Sequence, residues 1–158
     1  MSIRARAHIA YALAFAAGAV IFANAALAEG TAADAKAMLD KTIAALKANK
    51  AKTLDEINAG TNGFLQGDIY PFCFNLSDGI IVAIGNPNVK QLLGTDSRML
   101  KDPTGKVYGP ELYSTAKEGE VNEVSYMSPK AGADKTWVPK VSFVTAIAGL
   151  GCGVGYYK

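Results

Sequence analysis

The 158-residue chain predicts an α+β domain, an antiparallel sheet with its helices segregated from it, and three observations lead there. From Ala32 to Lys50, Met38, Leu39, Ile43, Ala45 and Leu46 fall on one stripe while Asp34, Lys36, Asp40, Lys41 and Lys47 fall elsewhere, the pattern of an amphipathic helix. From Ile69 to Ile84 an aromatic, apolar run and a β-branched run flank Ser77-Asp78-Gly79, which reads as a buried β-hairpin with Gly79 free to take positive φ. Beyond Val121, three more runs of strand composition complete the sheet.

At the start, Arg4 and Arg6 form a short basic segment, Ile9 to Ala25 is nearly continuous Ala, Ile, Leu, Phe and Val, and Ala26-Leu27-Ala28 offers small residues where a signal peptidase looks. Residues 1–28 therefore read as a secretory signal peptide cleaved after Ala28, with residues 29–158 as one domain. An uncleaved membrane anchor is the alternative, because Ile9 to Ala28 is long enough to span a bilayer. After the long helix, Thr53-Leu-Asp-Glu56 matches a capping box and predicts a short second helix to Ala59, stopped by Gly60-Thr-Asn-Gly63.

Gly85-Asn-Pro-Asn88 ends the hairpin, Val89 to Gly94 can make one helical turn, and Asp102-Pro-Thr-Gly105 closes a loop. Tyr108 to Lys117 predicts a helix with Leu112 and Tyr113 facing in. Val121 to Met127 and Thr136 to Ala146 read as strands joined by a polar loop over Ser128 to Lys135, and Pro139 requires the second to begin at an edge or a bulge. The last strand, Gly149 to Tyr157, has glycine at every second position, so one of its faces is bare backbone for rings such as Tyr70, Phe72 and Phe74 to cover.

Without the leader, Lys plus Arg falls from 16 to 14 against 14 Asp plus Glu, a neutral domain with no electrostatic case for nucleic acid. His8, the only histidine, leaves too. No imidazole then remains for general-base catalysis, a triad, a metal or a haem, and no Gly-x-Ser-x-Gly nucleophile motif appears, so neither an enzyme nor a cofactor is expected. No carboxylate cluster suits a metal. Cys73 and Cys152, the only cysteines, lie in the first and last strands; in an oxidising compartment an even count favours a disulfide between them, the alternative being two buried thiols.

Leu54-Asp-Glu-Ile-Asn58, Gly67-Asp-Ile-Tyr-Pro-Phe72, Leu76-Ser-Asp-Gly79, Asn86-Pro87 and Leu93-Gly94 follow one another in a telling order. Lys101-Asp-Pro-Thr-Gly-Lys106, Pro139-Lys-Val-Ser-Phe143 and Gly153-Val-Gly-Tyr-Tyr-Lys158 continue it. Together they resemble a single Cache domain of the second type (sCache_2), the extracytoplasmic ligand-sensing module of bacterial chemoreceptors and sensor kinases, here in a free periplasmic form. The resemblance implies a PAS-like five-stranded antiparallel sheet, a long N-terminal helix on one face and a small-molecule pocket on the other, with the first and last strands adjacent. Pro71 and Cys73 depart from the family pattern, and Pro71 implies a bulge in the first strand.

On that reading the chain binds a small organic molecule, a short carboxylate among the candidates, for signal transduction such as chemotaxis, through a membrane receptor or kinase partner. Arg98, the only arginine beyond the leader, offers a planar fork for a carboxylate, with a solvated loop charge as its alternative. Lys140 is a cation inside a strand, where it needs a partner, a ligand or a route to the surface. Tyr70, Phe72, Tyr126 and Trp137 supply rings for a pocket wall, though such rings also serve as plain core. Two other functions compete: a structural or interaction protein of the same fold without a ligand, and a histidine-independent enzyme.

Overall fold

A computed structural model describes residues 29–130 and 136–158. The proposed leader, its cleavage point after Ala28 and most of the loop before Thr136 lie outside the described residues. Two helices lead: α1 (Ala32–Ala48) and α2 (Lys50–Ala59). Thr31 and Asp34 cap α1 reciprocally, each side chain taking up a backbone donor of the other. Asn49 both ends α1 and starts α2, its side chain accepting from the Lys52 N–H at 3.1 Å. This corrects the expected cap at Thr53. The helix begins a turn earlier, so Thr53 lies inside it, buried, with its hydroxyl donating to the Asn49 carbonyl.

Five antiparallel strands follow: β1 (Pro71–Asn75), β2 (Ile81–Ile84), β3 (Asn122–Pro129), β4 (Trp137–Ile147) and β5 (Leu150–Tyr157). Their order across the sheet is β2-β1-β5-β4-β3, so the first and last strands are neighbours. Cys73 lies directly opposite Cys152, and the two are joined in a disulfide with their Cα atoms 4.1 Å apart. The irregularity in β1 falls between Cys73 and Phe74, where β2 carries an extra residue, and not at Pro71, which opens the strand where no ladder donor is required. Pro139 is tolerated for a similar reason: β4 pairs with β5 only from Lys140 onward.

The sheet divides the core in two. Against one face pack Met38, Leu39 and Leu46 of α1 and Ile57 of α2, over Cys73, Cys152 and Val154. Against the other pack Leu112 and Ala116, of or just beyond α3 (Gly109–Thr115), over Phe74, Val124 and Val144. Two 3₁₀ segments, Pro87–Leu92 and Ser97–Met99, cross that second face between β2 and α3. The glycines of β5 all look toward this second face. A Cβ at Gly153 would lie 2.6 Å from the Phe72 ring, and one at Gly151 would overlap the Phe74 ring. Tyr70 takes no share of that contact; Gly155 is covered instead by Lys140.

Both outer strands are closed by side chains. Along β2, the Asn58 amide donates to the Val82 carbonyl and its oxygen accepts from the Ile84 N–H, each at 3.0 Å, copying a strand partner. Along β3, Asp102 accepts from the Met127 N–H at 3.0 Å and Lys106 donates to the Ser125 carbonyl at 2.6 Å. Asp102 also takes the Thr104 and Lys106 amides, and these contacts, the Thr104 hydroxyl first, hold its carboxyl below the usual carboxylate range.

Candidate ligand cavity

The glycine stripe lowers the sheet floor, and the 3₁₀ segments and α3 roof it, leaving a cavity of about 180 Å³. That equals the liquid volume of roughly six waters, room for a small metabolite. Tyr70, Phe72, Tyr126 and Trp137, four of the residues singled out from the sequence, line it. Tyr126 stacks on Tyr108 with ring centroids 4.1 Å apart and planes 3° from parallel, forming one rigid wall. Ile81, Ile84, Leu92 and Leu112 add aliphatic surface, and Gln91, Lys101 and Ser128 add polar groups.

Lys140 stands immediately behind this lining. It points from β4 to the cavity side of the sheet, opposite Tyr126 on β3 and Tyr157 on β5. Only 3% of it is exposed. Its Nζ donates to the Tyr70 hydroxyl at 3.2 Å and lies 4.4 Å and 4.6 Å from the ring centres of Tyr70 and Tyr157. Among the described residues it enters no ion pair. Gly155 makes this position possible, since a Cβ there would come within 2.5 Å of Lys140 Cε and 2.6 Å of the Ser142 hydroxyl. Ser142 in turn bonds the Tyr126 hydroxyl at 2.8 Å, fixing the floor of the wall.

An ammonium has protons only to give, so the Tyr70 oxygen accepts from Lys140 and its own proton is free to be donated onward. Burial, opposed by the Asn86 side chain and helped by Asp68, pushes the Tyr70 hydroxyl up to about 12. Burial likewise pushes Tyr108 up to about 12, and Tyr126 is raised by burial against the opposing charge of Lys140. All three are neutral donors at ordinary pH. Because their folded pKa lies above the ordinary tyrosine value, the stability they contribute is complete below pH about 10 and is lost as pH rises toward 12. A spectrophotometric alkaline titration should show these phenolates forming together with unfolding. Their ionisation near pH 10 in a still-folded protein would contradict the burial argument.

Arg98 is not brought to the cavity. Its Nε and Nη2 bind the Asp96 carboxylate, Nη2 also donates to the Asp78 carbonyl at 2.7 Å, and the guanidinium lies over Tyr113 at 5.4 Å. It clamps the β1–β2 turn to the Ser97–Met99 segment, so its planar fork is already used. Sequence reasoning missed Lys101, Gln91 and the stacking role of Tyr108. Asp96, two residues before Arg98, was the available sign that the arginine had a local partner.

A five-stranded antiparallel sheet with a long helix across one face and an aromatic cavity on the other is the architecture of a PAS-like sensor domain. The chain belongs to the Cache domain family, whose dCache_2 model matches residues 35–157, and the one five-stranded sheet among the described residues of that span fits a single Cache domain. A methyl-accepting chemotaxis protein from Vibrio parahaemolyticus shares the fold at 20% identity and a TM-score of 0.62, over 79% of this chain and 86% of that one. The periplasmic sensor domain of a chemotaxis protein matches at 26% identity and a TM-score of 0.57, over 77% and 86%. A Cache chemosensory domain described for carboxylic acid recognition shares the fold at 24% identity and a TM-score of 0.53, over 77% and 84%. No curated protein matches the chain. Cache domains are extracytoplasmic sensor domains, and among the described residues no helix is long and apolar enough to cross a membrane.

Proposed function

We propose that this chain is a periplasmic sensing module, released by cleavage after Ala28, that binds a short organic acid in the cavity and reports it to a membrane receptor or kinase. Lys140 carries the reading. A buried ammonium without a carboxylate partner is costly, and an anionic ligand is the group that would offset that cost. The Tyr70 hydroxyl, polarised by Lys140, is the donor that meets the acid, and Phe72, Tyr108, Tyr126 and Trp137 enclose its carbon body.

The test is a thermal-shift comparison of two- to five-carbon carboxylates with their amides and amines. A ligand present at 100 times its Kd stabilises by about 2.7 kcal/mol, so an acid that fits raises the melting point by several degrees. Amides and amines should do markedly less, because neither brings a negative charge to Lys140. Equal shifts for acid and amide would remove the Lys140 charge from recognition, and no shift from any acid would transfer the chain to the interaction-protein reading.

A further inference from the structure

Resting on cleavage after Ala28, we propose that Asp68 is the docking site for the α-ammonium group that this cleavage creates on Glu29, so that removal of the leader completes the fold. Asp68 lies in the Gln66–Ile69 turn that leads into β1. One of its oxygens, Oδ1, accepts from the Gly30 N–H at 2.8 Å. The other, Oδ2, is buried and has no hydrogen-bond partner among the described residues, where Asp68 also enters no ion pair. A buried carboxylate oxygen left without a donor is costly, and one more donor beside Gly30 would satisfy it.

The chain just before α1 is held where it can supply that donor. The Glu29 carboxylate pairs with Lys130, just beyond β3, and Gly30 is pressed so closely on Ile69 that a Cβ there would overlap the Ile69 side chain. Successive backbone nitrogens are roughly 3.5 Å apart, so with the Gly30 nitrogen on Oδ1 the Glu29 nitrogen is within reach of Oδ2. While Ala28 is attached, that nitrogen is a planar amide with one proton, and Oδ2 goes without a donor. Hydrolysis of the Ala28–Glu29 bond adds water, leaving a carboxylate on Ala28 and an ammonium on Glu29. The ammonium has three protons, a positive charge and free rotation about its N–Cα bond, and it forms a charge-assisted bond to Asp68 that ties the start of α1 to the turn before β1.

The other charged or titratable groups facing this pair are Lys130, Tyr70 and Tyr157, which feel the Asp68 charge, Lys140 behind the two rings, and Asp34, held by Thr31. Lys130 is raised by its bond to Glu29, and Tyr70 and Tyr157 are raised by burial, so all three ionise at higher pH than an α-amine. An α-amine ordinarily titrates at about 7.7–8.0, and pairing with Asp68 raises that value in the folded state. Its stabilisation is therefore complete below about pH 7.7 and is lost as pH rises through the raised value.

Chains beginning at Glu29 and at Ala28, each holding every described element of the fold, should be compared by thermal melting from about pH 7 to about pH 10. At about pH 7 the Glu29 chain should melt about 5 °C higher, and the gap should close toward about pH 10. Asp68→Asn should abolish the gap, since Asn keeps an acceptor for Gly30 and removes only the charge. Equal melting at neutral pH, or a gap that persists at alkaline pH or in Asp68→Asn, overturns the assignment and leaves release after Ala28 standing. The intact mass of the protein exported from the full chain tests that release: a product beginning at Glu29 is expected, and any other start overturns the release and the assignment together.

Discussion

Replacing Lys140 by Met should leave the protein as stable as before, or more stable, while its affinity for small acids falls about 30-fold or more. The side chain is buried, faces two aromatic rings and has one neutral hydrogen-bond partner, so its charge is desolvated without a counter-ion. Exchanging buried charge for an apolar group of like volume is often neutral or stabilising, by about 1–4 kcal/mol. Met is the suitable replacement because its length fills the slot over Gly155 that the lysine stem now fills, where Ala would leave a void. The acid keeps its Tyr70 donor but loses the charge behind it, an effect on the scale of a hydrogen bond to a charged group, about 1.5–3 kcal/mol, which sets the expected loss of affinity. Paired melting curves and calorimetry on the same preparation would decide. A variant that is destabilised by several kcal/mol and still binds acids normally would make Lys140 a structural residue.

The second large effect concerns the Cys73–Cys152 bond. It closes a loop with a sequence separation of 79, for which the chain-entropy model gives about 4 kcal/mol. A domain of this size shifts its melting point by roughly 3–5 °C per kcal/mol, so the Cys73→Ala, Cys152→Ala double variant should melt about 15 °C lower. Both sulfurs lie on the α1 side of the sheet, while Phe72 and Gly153 face the cavity, so the double variant should keep its ligand preference at temperatures where it is folded. Melting of the variant and of the parent, each under non-reducing conditions, measures the cost. A difference below 1 kcal/mol would mean that the native state loses in strain what the crosslink removes from the unfolded chain.

Most of the sheet was legible because its residues report on themselves. The β-branched run Ile80 to Ile84, the alternating glycines of β5 and the pairing of two lone cysteines each constrain a strand or a neighbour without outside information. The glycine stripe even named two of its covering rings correctly, Phe72 and Phe74, and erred only in assigning Tyr70 rather than Lys140 to its end. The capping box at Thr53 misled because Asn49 offers a competing cap four residues earlier, and local capping strength alone does not rank two sites one turn apart.

The cavity was less legible. Lys140 drew notice because a cation inside an apolar strand violates a local rule. Lys101 and Gln91 violate none. They belong to irregular chain and a 3₁₀ segment, which have no period to say which way a side chain points, and only the folded roof brings them to the cavity. Arg98 looked available for the same reason, its partner Asp96 being visible in the chain but its hold on the Asp78 carbonyl arising only from the fold.

The side chains of Asn58, Asp102 and Lys106 along the two outer strands bear on how this domain meets other proteins. An open strand recruits any extended peptide that can continue its ladder, and that is a common route both to peptide recognition and to aggregation. Here the middle of each border already holds a counterfeit neighbour, so lateral growth of the sheet would first have to displace it. A partner that reads this domain must therefore do so through side chains presented on its surfaces. Molecules of the domain crowded together also lack the simplest template for sticking to one another.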